Sequence, residues 1–244
     1  MKQSFFEIIE NTPLTSNVYR MKLRGDTTDI TAAGQFVNIK LDGLYLRRPI
    51  SVCDLDGDVL TIIYKVVGKG TEAMSKLNDG KLDVLTGLGN GYDLSLSGDR
   101  PLLLGGGVGV PPMYLLAKRL IAEGKKVSVI LGFNTKDEVF YKDEFESLGA
   151  EVTVTTVDGS LGVKGFVTDA AKDIEYSYFY TCGPEPMLKA IYKSLETSGQ
   201  FSFEERMGCG FGACMGCSCK TITGYKRICK DGPVLTKEEI LWEK

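Results

Sequence analysis

The chain has 244 residues, 43% hydrophobic and 25% charged, the make-up of a folded globular protein with room for more than one core. A formal net charge of −3 gives no reason to expect nucleic acid or an anionic membrane as partner, and no apolar run is long enough to span a bilayer. Seven cysteines are an odd number, and the absence of histidine excludes histidine-based triads and metal sites, so any chemistry falls to a cofactor.

The opening MKQSFFEIIENTP has no long apolar core and no small-residue cleavage site, so no signal peptide is expected and the expected location is the cytoplasm. A reducing compartment, and an odd number of cysteines, argue against a disulfide framework. The first hundred residues read as strands, with FVNIKL (Phe36–Leu41), DVLTIIYKVV (Asp58–Val67) and KLDVLTGLG (Lys81–Gly89) the clearest, and one short helix over Thr71–Leu77. This predicts a small antiparallel β-barrel.

From Arg100 strands and helices alternate. PLLLGGG is a buried strand and Val110–Glu123 a helix. KVSVILG is a second strand, Asp137–Leu148 a second helix and AEVTVTTVD a third strand. YSYFYTC (Tyr176–Cys182) is a fourth strand, Pro184–Glu196 a helix and FSFEE (Phe201–Glu205) a fifth strand. The rhythm predicts an α/β doubly wound parallel sheet. From Arg206 the chain is rich in glycine and cysteine and then forms a hairpin, CKTITGYKRIC. The expected division is a barrel domain over 1–98, an α/β domain over 99–204 and a small cysteine domain over 205–244.

Four motifs carry chemistry. In GGGVGVPP the glycines, Gly106, Gly107 and Gly109 among them, let backbone approach a phosphate at the start of a helix. The strict G-x-G-x-x-G pattern fails because Pro112 replaces the third glycine, and a turn without ligand is the competing reading. A second strand-to-helix turn, CGPEPM, places Cys182, Gly183 and Pro184 where they can line the same crevice; Cys182 alone reads as a buried small residue. In the barrel, RPIS offers Arg48 and Ser51 to a pyrophosphate, and GKGT offers the N–H groups of Gly70 and Thr71 just ahead of a helix. Taken alone, Arg47 and Arg48 read as a solvated basic pair.

The fourth motif is CGFGACMGCSC. Cys209, Cys214 and Cys217 have the C-x4-C-x2-C spacing of plant-type 2Fe–2S ferredoxins, and the intervening glycines allow the backbone to wrap a cluster. Cys229 is the natural fourth ligand and Cys219 a competitor. A four-thiolate structural zinc is the rival chemistry.

In this order the motifs resemble the ferredoxin–NADP reductase superfamily with a C-terminal 2Fe–2S domain. EERMGCGFGACMGCSCKT followed by YKRICKDGPVL resembles, more narrowly, the electron-transfer subunit of type B dihydroorotate dehydrogenase, and the resemblance covers nearly the whole chain. It implies FAD on the barrel, contacted by Arg48, Pro49, Ile50, Ser51, Ile63, Tyr64, Lys65, Gly70 and Thr71. It also implies NAD on the second domain and a 2Fe–2S cluster on Cys209, Cys214, Cys217 and Cys229. The implied partner is an FMN-containing dihydroorotate dehydrogenase catalytic subunit, in a complex of two copies of each. The implied route serves pyrimidine biosynthesis: the partner oxidises dihydroorotate to orotate, and two electrons cross the cluster singly to FAD and leave as hydride to NAD. No side chain of this chain is then required as acid or base. NAD is expected over NADP because Asp137, Glu138 and Asp158 in the loops after the second and third strands of the α/β domain would repel a ribose phosphate. The competing functions are a reductase of the same build serving ferredoxin, sulfur or sulfite, and a zinc-stabilised binding module.

Overall fold

The computed structural model describes residues 1–242. Six strands close into an antiparallel barrel: β1 (Lys2–Pro13), β2 (Val18–Arg24), β3 (Phe36–Ile39), β4 (Arg48–Asp56), β5 (Val59–Lys65) and β6 (Lys81–Leu88). Their order round the barrel is β1-β2-β5-β4-β3-β6. Patterning makes β3, β5 and β6 legible; β1 and β4 are blurred. In β1, Phe5 is 67% exposed while its neighbour Phe6 is fully buried, so apolar residues occupy both faces. In β4, Pro49 and two aspartates interrupt the alternation. Phe6, Met21, Leu23, Val37, Ile39, Leu60 and Ile62 fill the interior, each worth about 1.5–3 kcal/mol on burial.

Helix α1 spans Lys69–Ser75, two residues earlier than the sequence suggests. Gly70 and Thr71 therefore lie inside its first turn rather than ahead of it. The first helical bond runs from the Glu72 N–H to the Gly68 carbonyl, which leaves the N–H groups of residues 69–71 outside the helical ladder. The Thr71 hydroxyl turns back on its own turn and accepts from the Val67 N–H at 2.9 Å.

The second sheet is built from β7 (Pro101–Gly106), α2 (Val110–Ala122), β8 (Ser128–Phe133), α3 (Lys142–Ser147), β9 (Glu151–Thr156), β10 (Val163–Lys164), α4 (Val167–Ala170), β11 (Tyr178–Cys182), α5 (Glu185–Ser194) and β12 (Gly199–Ser202). The tail adds a hairpin, β13 (Ser218–Thr221) with β14 (Gly224–Arg227), and then β15 (Val234–Thr236). The sheet order is β10-β9-β8-β7-β11-β12-β15. All pairings in it are parallel except β12 with β15. The expected third module thus hands its last strand to the second sheet.

Three boundaries differ from expectation. The helix expected over Asp137–Leu148 is only α3, because Phe140 and Tyr141 are buried and Tyr141 adopts φ 67, which no helix tolerates. The fifth strand ends at Ser202, so Glu204 and Glu205 lie beyond it. The segments β10 and α4 had no clear signal, being two and four residues long.

The sheet is covered on both faces. Leu103, Val129 and Leu131 pack in one core with α2 residues Met113 and Leu116; Leu102, Leu104 and Ile130 pack in a second with Leu188 and Ile191 of α5. The first core is continuous with the barrel interior. The second includes Cys217, Ile228 and Cys229 of the tail together with Phe36, Leu85 and Leu88 of the barrel. Among the described residues, no helix is long and apolar enough to cross a membrane.

Candidate functional site

The chain leaves β7 for β8, β9 and β10 on one side and returns to place β11 on the other. The strand order therefore reverses between β7 and β11, where ligands of such sheets bind. A cavity of about 490 Å³ opens there, walled by Gly106, Gly107, Val108, Gly109, Gly183 and Pro184 among others. Both glycine turns line this one cavity and touch each other. Contact between them is so close that a Cβ on Gly109 would lie 2.2 Å from the Cys182 carbonyl oxygen. The Cys182 side chain is 2% exposed, burial pushes its thiol up, and the cavity wall passes instead through Gly183 and Pro184.

The far end of the cavity is lined by Asn134, Glu138, Thr155, Val157 and Phe166. Of the three acids expected near a ribose, Glu138 lines the cavity, its carboxylate accepting from the Asn134 backbone N–H (3.2 Å) and side-chain amide (2.9 Å). Asp158 instead closes its own turn, accepting from the Ser160 hydroxyl at 2.6 Å and N–H at 2.9 Å. Sequence reasoning missed Asn134, Thr155 and Phe166; the carboxyl ends of β8 and β9 were the available signal. Glu204, at the cavity edge, is exposed to solvent, and the protein beside it raises its carboxyl.

On the barrel, Arg48, Pro49, Ile50 and Ser51 open β4. The Arg48 guanidinium lies against Gly70, where a Cβ would fall 2.1 Å from Nε, so the two candidate phosphate segments are neighbours. Ile63 and Tyr64 are buried at 3% and 2%, and the Tyr64 hydroxyl donates to Asn11 Oδ1 at 2.9 Å. Lys65 emerges at the end of β5 into the wall of this cavity.

The two arginines part company. Arg47 grips the Asp83 carboxylate with both nitrogens (3.0 and 2.9 Å) and also donates to the Asp83 and Asn38 carbonyls. It ties β4 to β6 and is not a solvated cation. Burial pushes the Asp83 carboxyl up, but the Arg47 hydrogen bonds and charge outweigh it and hold the pKa below its ordinary value. A lowered carboxyl contributes stability above its unfolded value of about 4 and loses it as pH falls through the native one. Asp83→Asn should therefore cost about 1–3 kcal/mol at neutral pH and remove part of the acid sensitivity below about pH 4, in denaturant titrations across pH.

The cysteine loop runs over the barrel and tail core. The Ala213 N–H (3.2 Å) and the Cys214 N–H (3.4 Å) donate to Cys209 Sγ, the Cys209 N–H donates to Cys214 Sγ (3.4 Å), and the Cys229 N–H donates to Cys217 Sγ (3.4 Å). Burial raises the Cys209 thiol, but N–H groups of Phe211, Cys214 and Ala213 outweigh it and hold the pKa at about 6. Burial, followed by Cys217, pushes Cys229 up to about 12. Gly210 (φ 78), Gly212 (φ 93) and Met215 (φ 60) take the left-handed turns that aim these N–H groups inward. Among the described residues, no three metal-ligating side chains converge on a single point. The sulfurs lie instead in two pairs, Cys209 with Cys214 and Cys217 with Cys229. The C-x4-C-x2-C spacing that joins these pairs is that of plant-type 2Fe–2S sites. Cys219, on β13, is half-buried and belongs to neither pair, its thiol raised by burial and by Glu205.

Residues 204–241 match the model of the iron–sulfur cluster binding domain of dihydroorotate dehydrogenase B, and residues 103–193 match the oxidoreductase NAD-binding domain. The electron transfer subunit of dihydroorotate dehydrogenase B (NAD(+)) from Fusobacterium nucleatum is 45% identical, over 98% of this chain and 99% of that one. That from Bacillus pumilus is 44% identical over 98% of each. The chain belongs to this family of electron-transfer subunits. Among solved structures, an NADH-dependent reduced ferredoxin–NADP oxidoreductase studied for flavin-based electron bifurcation superposes with a TM-score of 0.88. It is 30% identical, over 98% of this chain and 90% of the other. A ferredoxin–NADP reductase from Neisseria gonorrhoeae shares the fold alone, at 16% identity and a TM-score of 0.70 over 80% of this chain and 90% of that one. As a dihydroorotate dehydrogenase B electron-transfer subunit, the chain is an NAD-linked flavin and iron–sulfur oxidoreductase component with a catalytic partner, and FAD, a 2Fe–2S cluster and NAD are its cofactor set.

Proposed function

We propose that this chain collects electrons from a partner subunit that oxidises dihydroorotate with its own FMN and delivers them to NAD, in an assembly of two copies of each subunit. The observation that carries the reading is the packing of the cysteine loop against the same barrel whose Lys65, at the end of β5, lines the cavity between the glycine turns. Bound there, the cluster and flavin supply the conversion between one-electron and two-electron transfer. The residues of the chain bind and orient. Cys209 and Cys214 would hold one iron, Cys217 and Cys229 the other. Arg48, with the N–H groups of Gly70 and Thr71, would hold the flavin pyrophosphate, with Pro49, Ile50, Ser51 and the Ile63–Lys65 backbone along the rest. Gly106, Gly107, Gly109, Gly183 and Pro184 give the dinucleotide close backbone approach, and the buried Cys182 supports the turn. Cys214 is exposed, flanked by Phe211 (42% exposed) and Met215 (54%), and this apolar rim is the face offered to the catalytic partner.

Copurification with metal and flavin analysis tests the reading. The expected product is a yellow-brown complex, containing iron, sulfide and FAD, that bleaches with NADH; a colourless, zinc-loaded protein would overturn it. The similarity to the bifurcating oxidoreductase leaves a second partner class open, and the copurifying protein decides between them. Glu138 supports NAD over NADP. Glu138→Gln should raise kcat/KM for NADPH relative to NADH by at least about tenfold, since a carboxylate facing a phosphate costs several kcal/mol.

A further inference from the structure

The barrel and the cysteine tail meet along two seams of different character. One is plainly architectural. The Asn90 side chain donates to the Val234 carbonyl (2.8 Å) and accepts from its N–H (3.1 Å), and the Asn90 N–H donates to the Gly232 carbonyl (2.7 Å). Phe36, Leu85 and Leu88 of the barrel add apolar contacts in the same core as Cys217, Ile228 and Cys229 of the tail.

The other seam is Asn38. It sits in β3 directly opposite Pro49 of β4, one of the segments proposed to line the flavin. Its side chain is 1% exposed and reaches across to the cysteine loop, donating from Nδ2 to the Cys209 carbonyl at 3.4 Å. Gly210 lies so close that a Cβ there would fall 2.2 Å from Nδ2. The Cys209 carbonyl fixes the sense of the amide, because the reverse orientation would set two carbonyl oxygens against each other. Oδ1 is then buried without a hydrogen-bond partner among the described residues. An orphaned acceptor of this kind is destabilising, and an apolar residue of similar shape would avoid that cost. Because Asn90 also holds the tail, the single 3.4 Å bond to Cys209 is a small return for a buried, orphaned oxygen. Such local penalties concentrate where function requires them.

We infer that Asn38 is a positioning residue for electron transfer: it couples the cysteine loop to the flavin-lining strand and presents an amide dipole to Cys209. The inference rests on the proposed function, since it assumes a cluster in the loop and a flavin on the barrel. Partners of metal ligands that are not themselves ligands typically change affinity or activity 10–100-fold when removed, and hydrogen bonds round an iron–sulfur centre tune its potential. The positive end of the amide faces the loop, so its loss makes the cluster harder to reduce.

The test compares the wild-type complex with Asn38→Leu and Asn38→Asp. Leucine keeps the shape and removes the dipole, whereas aspartate keeps the size and adds negative charge. Three readouts are taken: rapid-mixing reduction of FAD by NADH, the onward reduction of the cluster, and the EPR spectrum and midpoint potential of the reduced cluster. The expected result is unchanged FAD reduction, onward transfer slowed by at least about tenfold, and a midpoint potential that falls in the order wild type, leucine, aspartate. A purely structural residue would not produce that order. Variants with wild-type EPR spectra, potentials and transfer rates would overturn the inference while leaving the proposed function standing. A wild-type complex with no reduced-cluster signal would overturn both.

Discussion

Cys229→Ser should abolish the second thiol pair and, with it, electron flow from the catalytic partner to NAD by more than about 100-fold. Cys217 and Cys229 are each 2% exposed in the core that joins tail to barrel, so no solvent ligand has a ready path to replace the lost sulfur. NADH oxidation by an artificial acceptor should survive, since the proposed FAD and NAD sites lie on the barrel and the second sheet. Cys219→Ser is the control. Cys219 lies on β13 outside both pairs, so its replacement should leave iron content and rate within about a factor of two. Iron and sulfide analysis beside both assays separates the outcomes. Loss of the cluster in Cys219→Ser with retention in Cys229→Ser would reverse the ligand assignment.

The second large effect is expected at Gly109. Its missing Cβ is the space into which the Cys182 carbonyl fits, 2.2 Å from where that carbon would be. Backbone lies on both sides, so neither can yield by rotating a side chain. Gly109→Ala must push the two nucleotide turns apart at the point where the strand order reverses. A displacement on the order of 1 Å at such a site costs about 100-fold in kcat/KM. NADH titrations of the bound flavin should show that loss, while the dithionite-reduced cluster keeps its EPR signal. Wild-type NADH affinity in Gly109→Ala would show that the dinucleotide does not use this turn.

Much of this architecture was legible because its signals are local. C-x4-C-x2-C with interleaved glycines, two glycine turns each between a buried strand and a helix, and alternation in β3, β5 and β6 depend on neighbouring residues only. What escaped depends on residues far apart in the chain. Arg47 reads as half of a basic pair until Asp83 closes on it from β6. Asn38 is an unremarkable strand residue until Cys209 arrives from the tail. Tyr141 takes a left-handed conformation because its ring is needed in the core, and this shortens a helix that periodicity alone extends. The tail reads as a separate module because nothing in VLT announces that it will pair with β12. Among Asp137, Glu138 and Asp158, charge alone could not choose; the cavity lining picks out Glu138.

The most direct measurement is an anaerobic rapid-mixing experiment on the intact complex, with dihydroorotate added in the presence of NAD. The cluster and FAD bands of this chain should bleach before NADH accumulates, with one NADH formed per dihydroorotate consumed. If NADH forms while those bands stay oxidised, or if dihydroorotate is oxidised and this chain never bleaches, the electrons do not pass through it.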